Sequence, residues 1–389
     1  MTKITREKLE NILEDYENVK SLNEIPNFSQ YDVSECNDLI GLFKDFYQLT
    51  DISALSSWDV SNVRFMDSLF EGCESLQDLS PLSSWNLSKC AYIDSLFEGC
   101  KNLKDISPLS SWDVSNVVSM VSLFEGCESL QDISALSHWN IHKCELMSSL
   151  FEGCVSLKDI SPMNSLDVSN VVNINNLFKY CVSLKDISPL SSWNVSKCKY
   201  IYSLFEGCES LQDISALSNW DVSNVVNMKR LFYCCQELSN IFSLSFWDVS
   251  NVIDISSIFN CCNSLQDISP LSSWNVSNVT SIESIFSFCE SLKDISPLSS
   301  WNVSRVINMS NAFSDCQQLS DISPLSSWDV SRCVLMGFMF HSCDNLKDIS
   351  PLANWDVSNV MNFCGMFDES LDKSPISNWN MSGNIHSEF

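Results

Sequence analysis

The chain has little of what most catalytic and export machinery requires. It holds four histidines in 389 residues. No recurrent Cys/His set at zinc-ligand spacing can run along it, so no metal or cofactor is expected. It has nine glycines, and no Gly-rich phosphate loop, G-x-S-x-G elbow or glycine-rich calcium nonapeptide. Lys and Arg number 22 against 49 Asp and Glu, a formal net charge of −27. Such a surface repels nucleic acid and anionic lipid, so no nucleic-acid partner is expected. No stretch reaches the ~18 apolar residues of a membrane span, so no transmembrane segment is expected either. The first residues, MTKITREKLENILEDYENVK, are charged throughout and lack the apolar core of a signal peptide.

What is present is a period. The stretch SLFEGCESLQDISAL stands at 122–136 and again at 203–217, 81 residues or three times 27 later. Tryptophans recur in the same phase at Trp58, Trp85, Trp112, Trp139, Trp193, Trp220, Trp247, Trp274, Trp301, Trp328 and Trp355. Leu166 fills the one gap, Tyr31 precedes the series by one period, and Trp379 opens a last unit shortened by three residues. A fixed period of this size predicts a repeat solenoid of about 13 units, each touching only its neighbours. The expected organisation is an N-terminal helical cap over 1–30, a solenoid of 27-residue repeats over 31–366, and a shortened terminal repeat with a C-terminal cap over 367–389. In the cap, Leu9, Ile12, Leu13, Tyr16 and Val19 share one face of a helix predicted over 5–19.

The unit at 112–138 reads WDVSNVVSMVSLFEGCESLQDISALSH. Ser115 or Asn116 is a candidate N-cap, and Val117, Met120, Leu123, Phe124 and Cys127 form a helical stripe of under three turns. Gly126 stands where that helix would stop. The following LQDISAL, LKDISPL elsewhere, predicts a short extended segment that pairs in parallel with the next unit, with Pro near its end terminating the pairing. Identical residues should then stack in files. These structural ladders comprise the tryptophans from Trp58 to Trp220, Phe70, Phe97 and Phe124, and Cys73, Cys100, Cys127, Cys154 and Cys208.

Eleven of the nineteen cysteines share that last phase, and five more (Cys36, Cys90, Cys144, Cys198, Cys333) share a second in which Val alternates. A position that accepts Cys or Val is a small buried apolar site, so packed reduced thiols are expected. Rung-to-rung disulfides and a metal-loaded ladder are the alternatives. A further ladder is acidic: Asp78, Asp105, Asp132, Asp159 and Asp213 recur in the extended segment, with Asn240 as the exception. Asn closes the same local turn without charge, which favours turn closure over a cation-binding ladder. The glutamates of FEGCES (Glu71, Glu125, Glu128, Glu152, Glu206, Glu209) are expected to face solvent. His142 and His341 lie near Cys144 and Cys343, but those cysteines belong to the repeat files. No third group orients a base there, and no enzyme is expected.

The pattern WDVSNV, then LF-x-GC, then DISPLSS closely resembles the repeats of BspA-type leucine-rich-repeat proteins, and more narrowly a mycoplasma-type domain of unknown function. The resemblance covers 31 to about 382. It implies a leucine-rich-repeat-like solenoid with a short parallel strand and a short helix per unit, protein binding or adhesion to a host or cell surface, and a surface location. The missing signal peptide and lipid-attachment cysteine argue equally for the cytoplasm. The leading functional expectation is thus a monomeric, non-enzymatic protein binder whose ligand-binding residues are unknown. An intracellular scaffold or spacer and an acidic cation-binding module are the alternatives.

Overall fold

A computed structural model describes residues 2–368 and 371–380. The chain packs as two compact units, 1–197 and 198–389. Each is a stack of 27-residue coils, and the chain is a repeat solenoid of about 13 units.

One coil of the first unit shows how the sequence closes on itself. Trp112, Val114, Val117, Met120, Leu123, Phe124, Cys127, Leu130, Ile133 and Leu136 are all buried. Apart from Ser119 and Ala135, which are buried too, the residues between them are partly or fully exposed, so each coil wraps its own share of core. The predicted helix over this stretch does not form. Residues 121–126 are successive turns, and residues 134–138 form a five-residue 3₁₀ helix. A short parallel bridge and a short helix are both present in the unit, but the helix lies at its end, where extended pairing was expected to stop. Where proline occurs, it sits in the first turn of that 3₁₀ helix, as in 107–111, where its missing N–H costs nothing.

The reason is competition for the backbone N–H groups. Met120, Ser122, Phe124 and Gly126 donate to the carbonyls of Leu146, Ser148, Leu150 and Glu152 in the next rung, at 3.0, 2.9, 3.1 and 2.7 Å. Val118 donates backward to Ala91. A helix would have spent these donors on itself, whereas a neighbouring rung offers a carbonyl to each in register. Parallel bridges run Phe65–Tyr92–Ser119–Leu146–Asn173 in the first unit and Tyr200–Asn227–Asp254–Ser281–Asn308–Leu335–Asn362 in the second. A second bridge sits at the acidic ladder, as between Asp105 and Asp132.

Turning the chain without a helix requires two left-handed residues per coil. Ser122 (φ 54°) and Gly126 (φ 69°) supply them, and the same two positions carry positive φ in rung after rung. Glycine is therefore at a corner, not at a helix end.

At the N-terminus, β1 (Thr2–Lys3) pairs in parallel with β2 (Tyr31–Asp32). Between them α1 (Arg6–Leu13) buries Leu9 and Leu13, while Tyr16 and Val19 lie beyond its end. It is shorter than the helix expected over 5–19. Ser21 and Glu24 form a capping box at Leu22–Glu24, and Leu22 donates to the Asp51 carbonyl at 3.0 Å. At the other end, Trp379 remains in the tryptophan file despite the shortened unit, its ring 6.4 Å from Trp355 and its Nε1 donating to Leu352 at 3.1 Å. The rest of the expected C-terminal cap, 369–370 and 381–389, lies outside the described residues.

Candidate binding surface

The sequence ladders divide into inner files, which no partner can reach, and outer ones. The Phe file is wholly interior. Phe70, Phe97 and Phe124 are 0% exposed, with centroids 5.7 and 5.8 Å apart and rings within 2° of parallel. In the second unit Phe205, Phe232 and Phe259 repeat this at 5.8 and 5.9 Å. The tryptophans are buried too, and each indole has a use. Trp85, Trp112, Trp139 and Trp193 donate Nε1–H to the carbonyl thirty residues earlier, Leu55, Leu82, Leu109 and Met163, at 2.9–3.2 Å. Trp58 is the exception: its buried Nε1 has no partner, and Phe28 packs on its ring instead, 5.5 Å away. Trp220 is buried like the others.

The inner cysteines follow the same logic. Cys73, Cys100, Cys127 and Cys154 are 0% exposed, and each thiol donates to a Phe carbonyl of the preceding rung (Phe43, Phe70, Phe97, Phe124) at 3.1–3.3 Å. Cys208 is equally buried. Burial pushes these thiols well above their ordinary range, which makes them poor nucleophiles. In the second phase, Cys90 and Cys144 are also buried and pushed up to about 12 by the same cause.

The acidic ladder is on the outside. Asp78, Asp105, Asp132, Asp159 and Asp213 are exposed. Each Oδ1 accepts the N–H of the serine two residues on, at 2.6–2.8 Å. Asn240 does the same for Phe242 at 3.1 Å, and its amide also donates to Asp213 at 3.0 Å. Asp321 and Asp348 are held below the usual carboxylate range by the backbone N–H, then the side chain, of Ser323 and Ser350. Asp51 falls to about 2 through the hydroxyls of Ser21 and Ser53 and the Ser53 N–H. The contacts to the residue two positions on each close a local turn, while Asn240–Asp213 and Ser21–Asp51 reach across to a neighbouring segment. Among the described residues, no group of three or more His, Cys, Asp or Glu could hold a metal ion.

The FEGCES glutamates depart from expectation. Glu128 and Glu209 are exposed, but Glu71, Glu125 and Glu152 are half-buried and Glu206 is buried. Lys44 and Lys179 flank the file Glu71–Glu98–Glu125–Glu152, at 2.8 Å from Glu71 and 3.0 Å from Glu152. Between them Glu125 is pushed up by burial, then by the charges of Glu152 and Glu98. The sequence signalled this only as a charged position beside the corner glycine.

One position of the repeat alternates Asn62, Lys89, Asn116, Lys143, Asn170 and Lys197, a 54-residue alternation with a structural cause. Asn62, Asn116 and Asn170 donate to the carbonyls of Ser34, Ser88 and His142 one rung back. Lys89, Lys143 and Lys197 then donate to the Oδ1 of those same asparagines, at 2.5–2.6 Å. The lysines tie rungs together.

Apolar groups reach solvent in a few places. Phe65 and Tyr92 stack at 5.5 Å and 11° beside an open recess of about 410 Å³. In the second unit Ile253, Ile307 and Met361 are 47–52% exposed on every second rung. The most exposed pair is Phe242 and Phe246, at 60% and 59%, edge to face at 5.5 Å on the 3₁₀ helix Phe242–Phe246. Every other rung has Ser at the first of these positions and Ser, Asn or His at the second. Sequence reasoning missed this pair, although FSLSF interrupting a run of SPLSS and SALSN was there to be seen.

These stacked coils define a repeat solenoid. The chain belongs to the family described as "Mycoplasma protein of unknown function, DUF285", which matches residues 7–135, 131–240, 212–321 and 287–388. A leucine-rich cell surface protein from Faecalibacterium prausnitzii is 16% identical, covering 89% of this chain and 82% of that one with a TM-score of 0.41. A leucine-rich-repeat protein from Eubacterium ventriosum is 13% identical, covering 90% and 84%, also with a TM-score of 0.41. No curated protein sequence matches the chain. Among the described residues, no helix is long and apolar enough to cross a membrane.

Proposed function

We propose that this chain is a non-enzymatic repeat protein that binds other proteins, with adhesion to a host or cell surface as its use. Phe242 and Phe246 would be its principal anchor. The observation that supports this reading is their exposure, 60% and 59%, at positions where the fold elsewhere uses small polar residues. The fold does not need them there. Burying one phenyl ring against a partner is worth about 1.5–3 kcal/mol, and aromatic side chains dominate binding hot spots. The net charge of −27 favours a partner whose apolar pocket is rimmed by Lys and Arg.

Returning both residues to the serine of the other rungs gives the test, Phe242→Ser with Phe246→Ser. The variant should melt like the parent, because it adopts the repeat's own sequence. Its saturable binding to proteins or cells from the source organism's surroundings should fall by tenfold or more, about 1.4 kcal/mol. Undiminished binding would remove the aromatic anchor, and absence of any saturable binding by the parent chain would remove the protein-binding reading itself.

A further inference from the structure

Two of the nineteen cysteines stand apart from the rest. Eleven lie in the inner file, five in the second phase, and Cys364 is alone and exposed. The remaining two, Cys234 and Cys261, are half-buried and occupy the left-handed corner, where five other rungs place glycine, with φ of 57° and 60°. They stand 27 residues apart in adjacent rungs of the second unit. Cys234 N–H donates to Asn260, the residue before Cys261, at 2.7 Å, so the two corners are in register. The two thiols are near enough to shift one another's proton affinity, in opposite directions. A rung spacing of about 4.8 Å falls within the ~4.4–6.8 Å between Cα atoms that a disulfide spans.

The surroundings favour chemistry at one sulfur. The neighbouring Cys261 thiol, and after it the Tyr233 hydroxyl, hold the Cys234 thiol below its ordinary range. Cys261 is driven the other way by the same contact. Its S–H donates to Asn260 Oδ1 at 3.0 Å. The inner-file thiols are as close in sequence phase, but each is sealed in the core and committed to a carbonyl, as Cys262 is to Phe232 at 3.2 Å. The second-phase cysteines stand at least two rungs apart, beyond bridging reach.

We propose that Cys234 and Cys261 form a redox site that reacts with low-molecular-weight disulfides. The Cys234 thiolate attacks one sulfur of the small disulfide. A Cys234–sulfur bond forms, the small S–S bond breaks, and a small thiolate leaves and takes up the proton Cys234 lost. Cys261, deprotonated by solvent, then attacks the Cys234 sulfur and expels the second small thiolate, which is protonated in turn. The two protein thiols lose two electrons and two protons, and one small disulfide becomes two thiols. The product is a Cys234–Cys261 bridge that locks two rungs together.

The test uses the full reduced chain and glutathione disulfide without oxygen, followed by acid quenching, alkylation and peptide mapping by mass spectrometry. The expected product is one Cys234–Cys261 bridge, with Cys364 carrying a glutathione adduct that has no neighbour to resolve it. Cys261→Ser should trap glutathione on Cys234, and Cys234→Ser should abolish the bridge. Both variants keep a residue this corner already accepts, since Ser342 holds φ 54° there. Far-UV circular dichroism checks their fold. A lasting glutathione adduct on Cys234 in the unmutated chain, oxidation confined to Cys364, or a bridge within the inner file would each overturn the proposal.

Discussion

The two compact units carry the same core and different corners. In 1–197 the second left-handed position of each coil is Asp45, then Gly72, Gly99, Gly126 and Gly153, then Tyr180. In 198–389 the same position is Gly207, then Cys234, Cys261, Phe288, Asp315 and Ser342, all at φ between 54° and 60° apart from the glycine at 73°. The backbone holds its path whether or not the residue suits it. Space is no obstacle, because a Cβ added at Gly126 would meet Gly99 at 3.5 Å, ordinary contact. The cost is conformational, about 1–2 kcal/mol for an L-residue in the left-handed region. The inner files thus over-determine the coil, and the corners are free to drift toward chemistry such as paired thiols.

The largest effect should come from breaking what the two units share. Phe124→Ala and Phe259→Ala each empty one place in the phenyl stack, and each should lose about 3–5 kcal/mol. Urea denaturation of the two variants should give similar losses. A much smaller loss for Phe259→Ala would mean that the second unit's core is not equivalent to the first's.

Exchanging the corners should move stability by less and in opposite directions. Phe288→Gly should gain about 1 kcal/mol by relieving the left-handed strain, and Gly126→Ala should lose about as much. Thermal melts of both variants give the signs. Equal and opposite shifts would sharpen the comparison, and a loss on Phe288→Gly would show that its ring, 44% exposed, packs usefully on a neighbour.

The smallest effect is electrostatic and distinguishes the Glu file from the Asp ladder. Asp51 has a folded value near 2, below the unfolded ~3.9. Its contribution is complete above the unfolded value and is lost as pH falls from about 4 through about 2. Glu125 is shifted the opposite way by burial. It penalises the fold once ionised, and protonation relieves that penalty as pH falls through its raised value. Glu125→Gln should therefore raise the melting temperature at pH 7 by the equivalent of a few tenths of a kcal/mol, since the site is half open to solvent. The gain should vanish below the unfolded glutamate range, where the parent residue is neutral too. A gain that persists at pH 3 would locate the cause in packing instead of charge.

The period, the unit count and the identity of the core were legible because the same residue types return every 27 positions. The Asp ladder was legible for a related reason: Asn240 replaces Asp where only an Asx turn is needed. The helix over 117–127 was misread from a real signal. Apolar spacings of three, three, one and three are shared by a helix and by a coil that turns two left-handed corners four residues apart. Only the destination of the N–H groups separates the two. The half-buried glutamates were missed because their burial depends on what lies one rung above and below.

The sequence by itself thus determined the repeat, the residues that face inward and the local turns, because each of these is settled within one unit or by its recurrence. Tertiary structure decided the rest. It turned would-be helical donors outward to the next rung, paired each Lys with the Asn before it, and set Cys234 beside Cys261. All three depend on contacts about 27 residues apart in sequence and one rung apart in space, and stacking alone brings such positions together.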